Sequence, residues 1–420
     1  MVKNFSVLLV MLLILTLPVA AMAAEKDDGL LTRGEFAAML VEAANITGDA
    51  APVDLLINKG ILKGYPNGEM GLEEATTLVE AVTLSARTLG LQDGISPIVG
   101  IEVPLGEEHW GYALYSWFER QGLVSTEADP KSFLTNEQGS AFLNTVFSID
   151  PKATEIVNKA QKNESELKTL RMQMEGSFTV IARADAPDAK SLTGSSISMV
   201  QEMEFPARLH QTATLTVQVP EQGQQEINTE LYLVNGKFYQ QTSNPETGET
   251  VWYRFPDDLM PNLDKLLEKQ TQQLEAVPPE LQEYMHYQLL GTKDLNGTEV
   301  YEIAFYGRID DFNKFMEAAS GQFGDMNNPG LSKSASMLKS MSYWGIEYIG
   351  VEDLLTYGSD YASFMNYAEE FNGEPIPIQS MEMVATITEV SFNEDFSIEV
   401  PQEALDAPEL EIPTSKSSEN

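Results

Sequence analysis

The hydrophobic period of this chain changes near residue 170, from the repeat typical of helices to the alternation typical of strands. Before that point, one face of a predicted helix consists of the apolar residues Phe36, Met39, Leu40 and Ala43. After it, apolar residues alternate with polar ones over long stretches, as in Leu209, Ala213, Leu215, Val217 and Val219. The sequence therefore predicts an α+β fold, in which an all-α N-terminal region precedes a large antiparallel sheet with one apolar face.

This change of period also sets the predicted domain boundaries. We expect a signal peptide over residues 1–24, degenerate helical repeats over 25–150, an antiparallel α+β domain over 151–410 and a disordered tail over 411–420. A helix from Asp150-Pro151 to about Leu170 leads into the second domain. Asn235-Gly236 is a strong hairpin signal within it. Four further helices are predicted to cover the sheet, near Asp257–Leu274, Pro279–Leu290, Asp310–Ala319 and Leu331–Met341.

The first 24 residues have the layout of an export signal. Lys3 precedes the apolar run Val7–Leu17, and Ala21-Met22-Ala23 is a small-x-small cleavage site. A transmembrane helix is the alternative, but the run is shorter than the roughly 20 residues that span a bilayer. We therefore expect an exported protein without a transmembrane anchor. The chain has no cysteine, so it can carry neither a disulfide nor a lipidated cysteine.

Charge and composition exclude several classes of function. With 26 Lys and Arg against 64 Asp and Glu, the formal net charge is −38, which repels nucleic acid. The three histidines lie far apart without metal-ligand spacing, and no phosphate-binding loop is visible. We expect no catalytic residues, no metal and no cofactor. Four acidic pairs could suggest a hydrolase, although in so acidic a chain solvated charges at helix ends explain them better: Glu73-Glu74, Glu107-Glu108, Asp257-Asp258 and Asp310-Asp311.

The helical region contains a repeated motif. Thr32 and Glu35 have capping-box spacing, as do Thr135 and Gln138, and a helix is predicted between them from about Leu72 to Leu89. Arg33 follows the first cap, where the helix dipole disfavours a cation. Arg33 is therefore interpreted either as a solvated surface residue or as part of an anion-binding corner.

These residues resemble those of S-layer homology domains, the cell-surface modules of Gram-positive and related bacteria. Thr32-Arg33-Gly34-Glu35-Phe36 is similar to the family's helix-start signature, and Gly64-Tyr65-Pro66-Asn67-Gly68 to its turn. His109-Trp110-Gly111 resembles the start of a further unit. The resemblance implies binding of an anionic secondary cell-wall polysaccharide at the surface of a bacterium.

Two of the three units depart from this signature. The segments predicted at the signature position are Gly71-Leu72-Glu73-Glu74 in the second unit and Leu134-Thr135-Asn136-Glu137 in the third, and neither supplies an arginine. The resemblance therefore carries over a single polysaccharide site, formed by Thr32, Arg33, Glu35 and Trp110. Trp110 has two interpretations, as an aromatic platform for a sugar or as a core residue of its unit.

The strand-rich region resembles the half-barrel lipoprotein-carrier and lipid-binding lipoprotein families of bacterial envelopes, in the helix before the sheet and in its long meandering strands. One predicted sheet face carries a set of methionines, Met172, Met174, Met199, Met203, Met381 and Met383. Methionine gives a soft apolar wall suited to a lipid or another hydrophobic ligand. The alternative is an ordinary core beneath the inserted helices.

Two functional hypotheses follow. In the first, a noncatalytic cell-surface protein docks to a wall polysaccharide through its helical region and binds an apolar ligand or envelope partner through its sheet. In the second, the protein is an envelope lipid or lipoprotein carrier, or a chaperone, whose helical region is only a scaffold.

Overall fold

The computed structural model describes residues 29–93, 95–98, 101–186, 191–219, 223–243, 249–256, 284–312, 314–315, 337–371 and 373–410. The predicted signal peptide, the predicted tail and the predicted helix at 257–274 lie outside these residues. None of the described helices is both long enough and apolar enough to cross a bilayer.

Five helices form the N-terminal region of the described chain: α1 Arg33–Ala43, α2 Pro52–Asn58, α3 Leu78–Thr88, α4 Tyr112–Arg120 and α5 Asn136–Phe147. The predicted capping boxes at Thr32 and Thr135 are confirmed. The predicted start of α3 at Leu72 is wrong, because a third box, Thr77 with Glu80, begins this helix at Leu78. The residue equivalent to Arg33 is thus Leu78 in the second unit and Asn136 in the third.

The three capped helix starts are joined by a ring of backbone hydrogen bonds. The Leu31 N–H donates to the Leu134 carbonyl (2.7 Å), the Leu134 N–H to the Thr76 carbonyl (3.0 Å), and the Thr76 N–H to the Leu31 carbonyl (2.8 Å). Each of these residues directly precedes a capping threonine. The ring satisfies backbone groups that an isolated helix start leaves open to solvent.

The C-terminal region begins with α6 Pro151–Glu164 and continues into an antiparallel sheet. Among the described residues the large sheet has eleven strands in the order β6-β5-β4-β3-β2-β1-β13-β10-β9-β8-β7. Their bounds are β1 Thr169–Ala182, β2 Leu192–Glu204, β3 Arg208–Val219, β4 Gly223–Val234, β5 Lys237–Ser243, β6 Thr250–Arg254, β7 His286–Leu295, β8 Thr298–Ile309, β9 Leu338–Gly350, β10 Thr356–Tyr367 and β13 Ile378–Phe392. The short hairpin of β11 Glu370–Phe371 and β12 Glu374–Pro375 and the helix α7 Gln402–Leu405 complete the described elements.

The prediction of an antiparallel sheet is confirmed, but some helices predicted over it are wrong. Residues 286–290 belong to β7 and residues 338–341 to β9. Of the helix predicted at 310–319, residues 312, 314 and 315 are helical. The predicted hairpin at Asn235-Gly236 is present, with both residues at positive φ (54° and 71°), as a type I′ turn requires.

The expectation of a single apolar face is wrong for strands β8 to β10. Trp344, Tyr306 and Phe364 point away from the methionine-bearing face and are buried in one core with Trp117 and Phe118 of α4. The other side of the same strands packs against α6, through Ala153, Ile156, Val157 and Ala160. We call the α6 side the inner face and the α4 side the outer face.

Candidate functional site

The strand registers place all six predicted methionines on the inner face. Met174 lies directly opposite Met199 across β1 and β2, and Met203 lies opposite Leu170. On the other side of β1, Met383 and Met381 are opposite Phe178 and Val180. The six therefore share one face, although they do not share one site.

A cavity of about 530 Å³ opens on this inner face. Met172 and Met203 line it, together with other residues of seven strands and of the chain after α6, including the apolar Leu167, Leu170, Leu209, Phe305 and Ile387. Met174 is instead buried beside it, where its sulfur accepts a hydrogen bond from the Tyr361 hydroxyl (3.3 Å). Met199, Met381 and Met383 are half-buried elsewhere on the face.

The sheet curves around this cavity. Leu209 on β3 and Phe305 on β8 both line it, yet six inter-strand steps separate their strands in the sheet. In a flat sheet these strands would lie about 29 Å apart, at roughly 4.8 Å per step. A cavity of this volume can contact both only if the sheet bends toward α6.

Three charged side chains line the mainly apolar cavity: Glu164, Glu347 and Arg208. The Arg208 guanidinium donates to the Ile398 carbonyl (3.0 Å) and lies 3.5 Å from the Glu204 carboxylate. Glu164, at the end of α6, accepts a hydrogen bond from the Thr356 N–H (3.0 Å). Glu347 forms no hydrogen bond or ion pair with any of the residues that the structure describes.

Both carboxyl groups hold their protons more tightly than usual. Burial raises the pKa of Glu347 from 4.5 to about 7, and the nearby Glu164 adds to this rise. Burial also raises the pKa of Glu164, against the opposing effect of its bonds to Thr356. An apolar enclosure with a poorly compensated carboxyl is an arrangement suited to an amphiphilic ligand.

The predicted polysaccharide site lies in a second depression, a groove of about 580 Å³ in the N-terminal region. Arg33 and Trp110, far apart in sequence, both line it. Thr32 and Glu35 bond to each other in the capping box, with the Thr32 N–H 2.9 Å from the Glu35 carboxylate. Two of the four predicted residues, Arg33 and Trp110, therefore line the groove. The side chains of the other two, Thr32 and Glu35, form the capping box instead.

Arg33 is not a solvated surface residue, since only 6% of it is exposed. Its guanidinium donates to the carbonyls of Met70 (3.0 Å) and Lys63 (2.8 Å) and lies 4.6 Å from the centre of the Tyr65 ring. These bonds tie the start of α1 to the turn at residues 64–68. Its terminal nitrogens are thus already engaged, which limits the anion-binding role predicted for it.

Exposed aromatic and basic side chains form the rest of the groove. Trp110 is 61% exposed and Phe133 is 54% exposed, so Trp110 is not a core residue. Lys63, Arg87 and Lys131 lie on the same groove. Asp93 pairs with both Lys63 and Arg87, while Lys131 forms no ion pair within the described part of the chain.

The family model described as "Family of unknown function (DUF6612)" matches residues 152–409. The chain belongs to this family. All residues that line the inner-face cavity fall within the DUF6612 match, whereas the groove and the segments that resemble S-layer homology units lie before it. A search of curated proteins finds no sequence match.

Several solved structures are similar to part of this chain at low sequence identity. LprF from Mycobacterium bovis is 11% identical over 60% of this chain and 99% of its own, with a TM-score of 0.31. The lipoprotein LppX from Mycobacterium tuberculosis is 10% identical over 60% of this chain and all of its own, with a TM-score of 0.27. A putative outer membrane lipoprotein-sorting protein domain from Vibrio parahaemolyticus is 9% identical over 59% of this chain and 94% of its own, with a TM-score of 0.21. Because these TM-scores are low, the description of the fold depends on the strand order and registers of this chain itself.

Glu164, Glu347 and Arg208 were missed by sequence reasoning. Glu347 is the single charged residue in the run Tyr343–Gly350. Because both faces of the sheet are largely buried there, polar and apolar residues do not alternate, and the sequence does not show which face Glu347 lies on. The backbone of Phe133 pairs with that of Thr77 at the groove. These residues are far apart in sequence, so no local sequence pattern predicts that Phe133 lies there.

Proposed function

We propose that the protein is an exported, noncatalytic carrier or binding protein for an apolar, lipid-like ligand. The inner-face cavity is the observation that supports this function best. Its volume falls within the range of small-molecule sites, roughly 300–1,000 Å³, and its walls are mainly apolar with a few polar groups. Methionine side chains in the wall can adapt to chains of different shape. Export is supported by the signal-like segment at residues 1–24.

The α6 helix supports a stable binding site. Its apolar side packs on Tyr287, Ile303 and Ile349, which holds the helix against the inner face beside the cavity. Asp150 caps the helix by accepting from the N–H groups of Lys152 (2.9 Å) and Ala153 (3.1 Å). A wall built from regular elements keeps its shape when no ligand is present.

The first test fills the cavity. Ser359 lies on the inner face of β10 and lines the cavity, so Ser359→Phe should place a ring where the ligand binds. We expect at least about a tenfold loss of affinity for a dansyl-labelled fatty alcohol, measured by its fluorescence, because the ring competes for the same volume.

The matched control is Thr212→Phe, which adds the same ring at an exposed position of β3 on the outer face. Its affinity should equal that of the unaltered protein. Equal binding by both variants, with melting temperatures showing that both are folded, would place the ligand outside the cavity and contradict the proposed site.

A second function is proposed for the groove, namely docking to an anionic cell-wall polysaccharide. The observation that favours it is the pairing of two exposed aromatic rings, Trp110 and Phe133, with basic residues in a chain of net charge −38. Aromatic faces stack on sugar rings, and Lys131, which forms no ion pair with a described residue, can pair with an acidic group.

We expect Trp110→Ala and Lys131→Ala each to reduce binding to native Gram-positive cell walls, by about tenfold for Trp110, as measured by co-sedimentation. Ile149→Ala is the control, because Ile149 is 52% exposed and lies outside the groove. Undiminished binding by the Trp110 variant, or equal binding to walls stripped of their secondary polymers, would refute docking through the groove. Arg33→Ala is unsuited to this test, since it removes bonds that hold the fold.

A further inference from the structure

Glu347 has no hydrogen-bond or ion-pair partner among the described residues, although it lies in the middle of the sheet between neighbours that are mostly apolar. Its neighbours on the inner face are Ile303 across β8 and Ser359 across β10. On its own strand the adjacent residues, Ile346 and Tyr348, are buried on the outer face. The carboxyl of Glu347 therefore points from the middle of the sheet into the cavity.

Among the residues that the structure describes, the surroundings of Glu347 supply no positive charge. The titratable groups that face it are Glu164 from α6, Tyr287 from β7 and Tyr361 from β10, together with Tyr343 on β9 itself. Arg208, the cation at the cavity, bonds instead to the Ile398 carbonyl and to Glu204. Burying a carboxylate without a counter-charge is costly, and a second carboxylate at the same cavity increases the cost.

A ligand that carries the missing cation would remove this cost. Arg208 and the unpaired carboxyl lie at different parts of the lining, with Met172, Met203 and Phe305 supplying apolar wall. An amphiphile could thus place its chain against that wall and its headgroup against Glu347. A negatively charged headgroup at the same position would meet two carboxyl groups, so an anion is disfavoured there.

We infer that Glu347 recognises the headgroup of the ligand, and that the ligand class is a single-chain amphiphile with a protonated amine. This inference rests on the proposed function of the cavity. In the complex the ammonium group donates hydrogen bonds to the Glu347 carboxylate, with Glu164 as a second negative charge nearby. The apolar chain supplies the rest of the affinity by leaving water.

The experiment compares dodecylamine with dodecanol, which has the same chain and no charge, by isothermal titration calorimetry on the full protein at pH 7. We expect dodecylamine to bind at least about tenfold more tightly, as a charge-assisted hydrogen bond in a dry site provides. Titrations in buffers of different ionisation enthalpy should show proton release on dodecylamine binding, because the cation favours the charged carboxyl.

Glu347→Gln should bring the two affinities to within about twofold of each other while dodecanol still binds, which shows that the cavity is intact. Equal affinities in the unaltered protein, or a preference for the amine that survives in Glu347→Gln, would overturn the role of Glu347 and leave the cavity's function standing. Absence of binding by either compound to the unaltered protein would overturn both proposals.

Discussion

Replacing Trp344 with alanine should lower the free energy of unfolding by about 3–5 kcal/mol, the range for removing a large aromatic from a packed core. Trp344 has no exposed surface and contacts rings from both regions of the chain. Its ring centre lies 5.2 Å from that of Tyr306 on β8 and 5.8 Å from that of Phe118 on α4. The loss should therefore weaken the attachment of the helices to the outer face as well as the sheet.

Urea denaturation followed by circular dichroism measures this effect. The control is Trp110→Ala, because Trp110 is 61% exposed and its removal should change the stability by no more than about 0.5 kcal/mol. If the Trp344 variant lost no more stability than the Trp110 variant, the shared core of α4 and β9 would not contribute to folding as described.

The ionisation of Glu347 should make the protein less stable at pH 8 than at pH 5, by about 2.5 kcal/mol. Its pKa rises from 4.5 in an exposed carboxyl to about 7 in the folded protein. Between these values the folded state binds more protons than the unfolded state, so stability decreases as the pH rises through the interval. Above pH 7 the full penalty of the buried charge is present.

Glu347→Gln should remove this dependence and be the more stable protein at pH 8, with a much smaller difference at pH 5. Urea midpoints of both proteins at the two pH values measure the difference. The control is Glu299→Gln, an exposed position on the adjacent strand β8, which should leave the pH profile unchanged. A Glu347→Gln profile parallel to that of the unaltered protein would show that Glu347 ionises normally.

Local sequence signals predicted much of the architecture. The capping boxes at Thr32 and Thr135, the Asp150 cap of α6 and the Asn235-Gly236 hairpin depend on neighbouring residues, so short patterns are sufficient to locate them. Strands with one polar face, such as β3, were also found by their alternation. The shared face of the six methionines follows from the same period of two.

The strands β9 and β10 could not be predicted in this way. Both of their faces are buried, one against α4 and the other against α6 or the cavity, so apolar residues occur without alternation. For the same reason Glu347 gave no sign of its direction. Each candidate site combines residues that are distant in sequence, such as Leu209 and Phe305 in the cavity and Trp110 and Phe133 in the groove, and no local pattern encodes this.

The hydrogen-bonded ring that joins Leu31, Thr76 and Leu134 limits how the N-terminal region can change in length. Each residue donates to one neighbour and accepts from the other, so the circuit closes only with all three members present. A repeat array that stacks end to end can gain or lose a unit at its termini. A closed circuit has no terminus, and removing any one unit leaves an unpaired donor and an unpaired acceptor. We therefore expect the N-terminal region to keep its fold only when all three units are present together.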